Sequence, residues 1–577
     1  QAEAHDAHTR RKVEIYAEYE VQCQREGAVD FAELLLRAYE LLQQDEALRT
    51  HYQQRFRHIL VDEFQDTNPL QYAWLQLLCG PQASIFAVGD DDQSIYAFRG
   101  ADVANMRGFE RDYARGNVIR LEQNYRSHGN ILSAANALIT NNADRLGKNL
   151  WTDAGEGEKI RVFQGVSDLD EARYIIEEIG ELNREGIPRH QIALLYRSNA
   201  QSRVLEHALF QAGLPYRVYG GLRFFERQEI KHALAYLRLI ANQDDDTAFL
   251  RVVNFPTRGI GARSLEALQQ EARRLNCSLY NAAASLTGKA GTSVGSFIRL
   301  IETLRGETAG LTLPEVIDHL LDRSGLRTHY QAEREGQDRL ENLEELVNAA
   351  ATFAEDPEAT RNIDAETGEA TSLLADFLAH AALEAGEHQA GDSDDAIQLM
   401  TVHSAKGLEF TAVFIVGLEQ GLFPHENAML ERDGLEEERR LMYVAITRAR
   451  QRLYLCHAQT RMLHGQTRYC LPSGFLDELP DALLQRLDAT PSWAGSYTTS
   501  SWTPAPAVDM TTRVAARAAG DTGGSGFRVG QSVVHAKFGA GVILASEGRG
   551  DEARVQVRFS QAGTKWLALA FAKLEAA

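Results

Sequence analysis

Cysteine is scarce in this chain of 577 residues: Cys23, Cys79, Cys277, Cys456 and Cys470 stand apart, without paired spacing. That argues against a disulfide framework or a metal cluster and suits a reducing cytosol. Long apolar runs are absent too. None approaches the roughly 20 residues of a membrane span, and the start carries no secretory signal. Gln1 is not an initiator residue, so a fragment or a processed product is expected. Positive charge is in deficit, 60 Lys and Arg against 81 Asp and Glu, a net charge of -21. A nucleic-acid partner usually leaves a basic footprint. The acidic residues crowd into 332–368 and 384–395, however, so the balance lowers the case for such a partner without excluding it.

What is present is ordinary for a globular protein, 44% hydrophobic and 24% charged, and long enough for several domains. Residues 1–26 read as a polar helix and 30–50 as another, capped by Asp30. A buried strand over 57–61 leads to a helix over 69–79, opened by Pro69. A second strand begins near 83. "NVIRLEQNYRS" reads as a strand entering a loop, and "HGNILSAANALI" as a helix. Residues 191–198 and 216–220 read as further strands. From Phe225 to about 385 the pattern turns helical. Strand and helix alternate again over 396–417, a helix covers 435–447, and a strand covers 452–458. Alternating units of this kind predict parallel α/β sheets with ligands beyond the C-terminal strand ends. Residues 484–525, rich in Ala, Thr, Ser, Pro and Gly, read as a flexible linker. The short Gly-punctuated strands after it predict a small β-barrel.

The first strand ends on Asp62 and Glu63. A strand-end Asp suits Mg²⁺, directly or through its waters, and an adjacent Glu suits activation of a water for attack on phosphorus. A solvated strand end is the plain alternative. Against it, the next strand also ends in a polar loop, Asp90 to Gln93.

"VDEFQDTNPLQ", "VGDDDQSIYAFRGA", "LEQNYRS", "TVHSAKGLEF" and "LMYVAITRARQRLYL" stand in the order and spacing of a motor's motifs. The chain resembles superfamily 1A DNA helicases of the UvrD/PcrA/Rep type over residues 1 to about 480. Its C-terminal segment resembles the Tudor-like tail of the UvrD and PcrA branch. The resemblance implies two RecA-like parallel-sheet domains, the second interrupted by a helical insertion, plus a Tudor-like β-barrel. The implied layout is a 1B remnant at 1–26, a partial domain 1A at 27–124, domain 2A at 125–223 and 389–483, insertion 2B at 224–388, a linker at 484–525 and the barrel at 526–577.

By the same resemblance, Asp62 holds Mg²⁺ and Glu63 activates the hydrolytic water. Gln93 senses the γ-phosphate. Tyr125 stacks on adenine, Arg126 and Arg448 are fingers to the phosphates, and Glu409 contacts the nucleotide, with Gly407 permitting close approach. ATP and Mg²⁺ are the implied cofactors. On the DNA side, Tyr96 and Phe98 would stack on bases, although many members carry Trp where Phe98 stands, and such an aromatic pair also suits a core. Arg99 would support this loop, His403 would couple the DNA and ATP loops, and Lys406 would reach a strand phosphate. Gly259 and Gly261, in a helix-hairpin-helix-like "NFPTRGIGARSLEAL", would offer amides to a duplex phosphate. A plain tight turn fits them nearly as well.

The implied activity is ATP-driven 3′ to 5′ unwinding or translocation on single-stranded and junction DNA, in repair and replication, within a bacterial cytoplasm and without a membrane. The two domains would close on ATP and open after hydrolysis. RNA polymerase at the C-terminal module and mismatch or excision repair proteins are the implied partners. No segment fits the family's GxxxxGK[ST] P-loop or its adenine-reading Gln motif. The expectation is therefore that this chain alone neither hydrolyses ATP nor unwinds DNA. Two alternatives stand beside the motor: a translocase that displaces proteins with little unwinding, and a non-catalytic truncated adaptor binding DNA or RNA polymerase.

Overall fold

The computed structural model describes residues 7–143, 145–219, 221–333, 336–355, 372–386, 395–431, 433–463, 466–488 and the strands of the last 46 residues from 532 on. The chain divides into two compact units, 1–122 with 142–149 and 123–141 with 150–577.

In the first unit, β1 (His58–Val61) and β2 (Ser84–Ala87) pair in parallel, Val61 opposite Ala87. Phe64, Tyr72 and Leu75 form the buried centre beneath them, with Phe64 edge-on to Tyr72 at 5.7 Å. The helix Pro69–Leu78 starts as read. Pro69 occupies its first turn, and Asn68 and Gln71 form a reciprocal cap. The single helix expected over 30–50 is instead two, Phe31–Gln44 and Glu46–Arg55, because Asp45 ends the first and caps the second through Leu48 N. The polar helix of the N-terminal segment runs Ala7–Glu26.

The second unit holds an 8-stranded sheet. Its strands are β3 (Ile160–Ser167), β4 (Ile192–Tyr196), β5 (Tyr216–Val218), β6 (Ile397–Thr401), β7 (Phe410–Ile415), β8 (Ala449–Leu463), β9 (Gln466–Tyr469) and β10 (Leu484–Asp488). The order is β10-β3-β8-β7-β4-β6-β5, all parallel, with β9 folding back antiparallel on β8. Every residue of β4 is buried, as a central parallel strand covered on both faces requires. The helix Asp168–Arg184 covers one face with Ile175, Ile179 and Leu182 at helical spacing.

Three expectations change here. "NVIRLEQNYRS" makes no ladder: it forms one isolated bridge, Gln123 to Trp151, and Ile119 and Leu121 are exposed. It is the stretch in which the chain passes from the first unit to the second, so it has no sheet neighbour. Residues 142–149, placed by sequence in domain 2A, belong to the first unit. Residues 484–488, read as the start of a linker, are β10. This strand pairs with β3 along its length, with Leu484 buried and Leu487 packed on the sheet core. The rest of the linker lies outside the described residues.

The insertion is helical from Gln228–Ala241 to Leu373–Gly386, around its own core of Tyr236, Phe249, Phe297, Ile301, Leu320 and Leu343. Polar bonds tie it to the α/β body. Arg227 donates to Ser202 Oγ at 2.7 Å and to Asn342 Oδ1 at 2.8 Å, and Ser198 Oγ donates to Glu341 at 2.5 Å. The C-terminal module is a 5-stranded antiparallel sheet, β14-β13-β12-β11-β15, of β11 (Ser532–His535), β12 (Gly539–Glu547), β13 (Arg554–Phe559), β14 (Gly563–Ala568) and β15 (Leu574–Ala576).

Candidate nucleotide and DNA sites

The carboxylates of the first unit stand where two parallel strands stop at one level. Val88 N donates to Val61 O at 2.8 Å and Phe64 N to Val88 O at 2.9 Å, which locks the two following loops together. Asp62 and Glu63 are both exposed. Glu63 has φ 49 and ψ 44, a left-handed conformation that a non-glycine residue adopts at a cost of about 1–3 kcal/mol and that clusters at functional sites. The turn resolves the problem that successive strand residues face opposite sides, and Glu63 N donates to Asp62 Oδ1 at 2.9 Å.

Gln65 is the residue whose part the sequence did not disclose. Fully buried, it donates to Glu63 Oε2 at 2.5 Å and accepts from Asp90 N at 2.9 Å. One side-chain amide thus spans both loops. Gly89 allows it: a Cβ there would lie 2.8 Å from Gln65 Oε1. Gln93 Nε2 in turn donates to Asp90 Oδ2 at 2.7 Å. Asp92 and Asp90 are already matched by cations from residues 142–149. Arg145 grips Asp92 with two bonds of 2.7 and 2.6 Å, and Lys148 pairs with Asp90. Asp91 accepts from Leu146 N at 2.7 Å, and burial raises its carboxyl above the usual range. Paired in this way, Asp90–Asp92 build the loop. Asp62, exposed on the neighbouring strand end, fits a hard cation that keeps most of its waters and takes one or two carboxylates. "DRLGKN" carried no motif signal of its own; only the fold brings its two cations to the acidic loop.

The second unit gathers Tyr125, Arg126, Glu409 and Arg448. Asn124 N donates to Trp151 O at 2.7 Å, and Asn124 Oδ1 accepts from the backbone of Arg126 and Ser127, so the loop is set by its own Asn. Tyr125 is 85% exposed, an open aromatic face, with its hydroxyl on Gln123 at 2.9 Å. Arg126 Nε donates to Glu409 Oε2 at 2.5 Å. That hydrogen bond, opposed by partial burial, lowers the Glu409 carboxyl below its ordinary range. Arg448 is buried. Its guanidinium donates to the carbonyls of Val444 at 3.0 Å and Leu408 at 3.1 Å and to Thr447 Oγ1 at 3.1 Å. Gly407, with φ 84, makes the turn that brings Leu408 there.

Glu409 and Arg448 precede β7 and β8, with Phe410 paired to Ala449. These residues therefore sit at the N-terminal strand ends. Asp62 and Asp90 follow the C-terminal ends of their strands in the first unit, whereas Glu409 and Arg448 precede theirs in the second. His403 and Lys406, both half-buried, follow the C-terminal end of β6. The segment 402–409 thus runs from the C-terminal level of the sheet to its N-terminal level, His403 near one end and Glu409 at the other.

Tyr96 and Phe98 lie in the first unit, ring centroids 6.0 Å apart at 56°, with the Arg99 guanidinium 5.5 and 5.4 Å from them. Phe98 is 63% exposed, so it is not a core residue. Gly259 (φ 72) and Gly261 are exposed in the loop between the helices Asp246–Val252 and Ala262–Leu275. Asn254 Oδ1 fixes that loop by accepting from Arg258 N and Ile260 N. It is a helix–turn–helix connection with glycine amides at its tip.

The first unit thus presents two exposed strand-end carboxylates and, in a separate loop, a half-buried tyrosine beside an exposed phenylalanine; the second unit presents an exposed tyrosine beside an arginine. The comparisons with known proteins show the family. The UvrD/REP helicase N-terminal domain model matches residues 1–114, the UvrD-like helicase C-terminal domain model 119–460, and the PcrA/UvrD tudor domain model 529–575. DNA helicase II of Escherichia coli (strain K12) is 50% identical over 571 residues, covering 97% of this chain and 76% of the relative. DNA helicase II of Haemophilus influenzae is 45% identical over 581 residues, 99% of this chain and 76% of the relative. ATP-dependent DNA helicase PcrA of Bacillus subtilis (strain 168) is 39% identical over 571 residues, again 97% and 76%. The chain belongs to the UvrD/PcrA helicase family. The expectation that the chain is inactive for want of a P-loop finds no support here, since the N-terminal helicase domain model matches from residue 1. Among the described residues no helix is long and apolar enough to cross a membrane.

Proposed function

We propose that the protein is an ATP-dependent DNA helicase that moves 3′ to 5′ on single-stranded DNA and opens duplex at junctions. The observation that carries the reading is the Gln65 bridge, which fixes Glu63 and the Gln93 loop at adjoining ends of two parallel strands. The relatives named as helicases support it; the polarity rests on the family resemblance alone.

On the first unit, Asp62 would hold Mg²⁺, which supplies charge neutralisation at the phosphates of bound ATP. Glu63 accepts a hydrogen bond from the attacking water and takes its proton as the new P–O bond forms and the bond from the γ-phosphorus to the bridging oxygen breaks, releasing ADP. Gln93, oriented by Asp90, presents its amide to the γ-phosphate. On the second unit, Tyr125 offers its open face to adenine, and Glu409 aims Arg126 at a phosphate oxygen. Arg448 would exchange the Val444 and Leu408 carbonyls for phosphoryl charge, a permanent cation suited to the charge that develops there. Tyr96 and Phe98 stack bases in a sequence-tolerant way. Lys406 adds a backbone contact, and Gly259 and Gly261 offer amides to a duplex phosphate. His403, on the segment that ends at Glu409, relates the DNA side to the nucleotide side. RNA polymerase at the C-terminal module, and mismatch or excision repair proteins, are the proposed partners in a bacterial cytoplasm.

The test is DNA-stimulated ATP hydrolysis and strand separation by the native protein on 3′-tailed and 5′-tailed duplexes. Hydrolysis with opening of the 3′-tailed substrate alone supports the proposal. Hydrolysis with displacement of a DNA-bound protein but no strand separation replaces unwinding by translocation. DNA binding without any hydrolysis overturns the motor in favour of an adaptor.

A further inference from the structure

Away from the nucleotide and DNA residues, the helix Ser202–Gln211 of the α/β body meets the helix Leu373–Gly386, the last of the insertion. His207 of the first faces His380 and Glu384 of the second. Four positions apart on one helix, His380 and Glu384 project from one face. Glu384 Oε1 lies 2.5 Å from His207 Nδ1 and 3.0 Å from His380 Nε2. Each of the three residues places a ligand-capable atom within 4.8 Å of the others. The side chains are 20%, 26% and 7% exposed, respectively, for His207, His380 and Glu384.

The surroundings hold these groups in place. His380 stacks on Phe353, ring centroids 5.2 Å apart at 30°, and stands edge-on to His207 at 5.5 Å. Arg223 donates to the backbone carbonyls of Glu384 and Ala385 at 3.4 and 2.5 Å, fixing the last turn of the insertion helix. The trio lies on the wall of a cavity of about 1060 Å³ that Phe225, Phe353 and Phe377 also line.

We propose that His207, His380 and Glu384 form a site for a divalent transition-metal ion, Zn²⁺ above all, that clips the helical insertion to the α/β body. Two imidazoles and one carboxylate are a donor set that zinc takes, with an exogenous ligand in the fourth position. Bonds of about 2.0–2.2 Å place tetrahedral ligand atoms roughly 3.3 Å apart. The two contacts at Glu384 Oε1 then lengthen by less than about 1 Å, a shift within reach of side-chain rotation. The adjoining cavity has room for the water that completes the tetrahedron. In the ligand-free form the imidazole N–H groups hydrogen-bond to the carboxylate; on binding, the ion takes those nitrogens, each neutral ring keeps its proton on its other nitrogen, and a doubly protonated ring releases one proton to solvent. Because one donor comes from the body and two from the insertion, the ion joins elements 177 positions apart. This inference stands independently of the motor reading.

The decisive measurement uses EDTA-treated whole protein titrated with Co²⁺. The expected result is one equivalent bound with the intense visible absorption of a four-coordinate site, displaced by Zn²⁺. His207→Ala and His380→Ala are expected to weaken binding at this site about 100-fold or more, beyond the 10–100-fold seen when only an outer-shell partner is lost. Circular dichroism in EDTA checks that the variants are folded. X-ray absorption on the Zn²⁺-loaded wild-type protein needs no variant and is expected to show two imidazoles and no sulfur. Absence of the Co²⁺ band, an unchanged band in both folded variants, or a zinc spectrum without imidazole would each overturn the site.

Discussion

Arg126 donates through Nε to the Glu409 carboxylate at 2.5 Å, across 283 positions of the chain. One residue before Glu409, the Leu408 carbonyl accepts from Arg448 at 3.1 Å. Both arginines are thus referenced to the same turn, the one Gly407 makes. If Arg126 offsets phosphoryl charge, Arg126→Ala is expected to lower kcat for ATP hydrolysis about 10³-fold or more, the range of an arginine finger. Glu409→Gln keeps an acceptor for Nε and loses only charge, so a drop of about tenfold, roughly 1.4 kcal/mol, is expected. Steady-state hydrolysis with saturating DNA checks both. Equal losses in the two variants would mean that the ion pair matters for loop structure and not for phosphate.

Phe98 presents most of its ring to solvent beside Tyr96, under the Arg99 guanidinium. Base stacking on such a ring is worth about 1–3 kcal/mol, or about 5- to 150-fold in Kd. Phe98→Ala is expected to weaken single-stranded DNA binding within that range and leave the slope of log Kd against log salt unchanged, because no phosphate contact is lost. Phe98→Trp adds stacking area and is expected to tighten binding. Fluorescence anisotropy with an oligonucleotide at several salt concentrations checks both. Unchanged single-stranded DNA affinity of a folded Phe98→Ala would place this aromatic away from the bases.

His232 sits in the insertion core, with Nδ1 2.8 Å from the Tyr330 hydroxyl and the ring stacked on Phe255 at 3.8 Å. Burial, with smaller contributions from the charges of Arg251, His329 and Arg339, brings its pKa down from 6.5 to about 4. Between those values the unfolded chain carries a proton that the folded one does not. Stability therefore falls as pH drops from 6.5 towards 4, and is insensitive to this group above 6.5. His232→Phe is expected to flatten that part of the curve. Thermal melting of both proteins at half-unit steps from pH 7 to 4 checks it, and parallel curves would assign the acid sensitivity to other groups.

The parts legible in the sequence were those in which local residue type dictates the outcome. Continuous apolar runs such as "IALLY" became fully buried parallel strands, and Asp30 as a cap and Pro69 in the first turn marked helix starts. Asp62, Glu63, Tyr125 and Arg126 announced themselves by motif. What escaped depends on partners remote in sequence. Gln65 reads as one more polar loop residue until β2 brings Asp90 to its carbonyl, and Arg145 and Lys148 acquire meaning only beside Asp92 and Asp90. Leu484–Asp488 is too short to declare itself a strand; the free edge of β3 decides it. "NVIRL" failed in the opposite sense, since β propensity cannot make a strand where no ladder partner exists.

Arg461 of β8 offers the sharpest test of the folded body itself. It is buried between two carboxylates, donating to Glu171 at 2.7 Å and to Glu419 at 2.6 and 2.8 Å. Each carboxylate also caps a backbone amide, Glu171 that of Gly417 and Glu419 that of Ala458. Burial raises the Glu171 carboxyl; at Glu419 burial is the largest single influence, but the attraction and hydrogen bonds of Arg461, with the Ala458 amide, together outweigh it and lower the carboxyl. Removing the shared cation leaves two desolvated groups without compensation, a loss of about 3–5 kcal/mol. Arg461→Met is therefore expected to lower the melting temperature by several degrees and to speed amide exchange along β8 and the loop at Gly417. Replacing all three groups together, Glu171→Gln and Glu419→Gln with Arg461→Met, removes the unpaired charge and is expected to recover most of the loss. Failure of the triple variant to recover would show that the two carboxylates are held for their backbone bonds rather than for the ion pair.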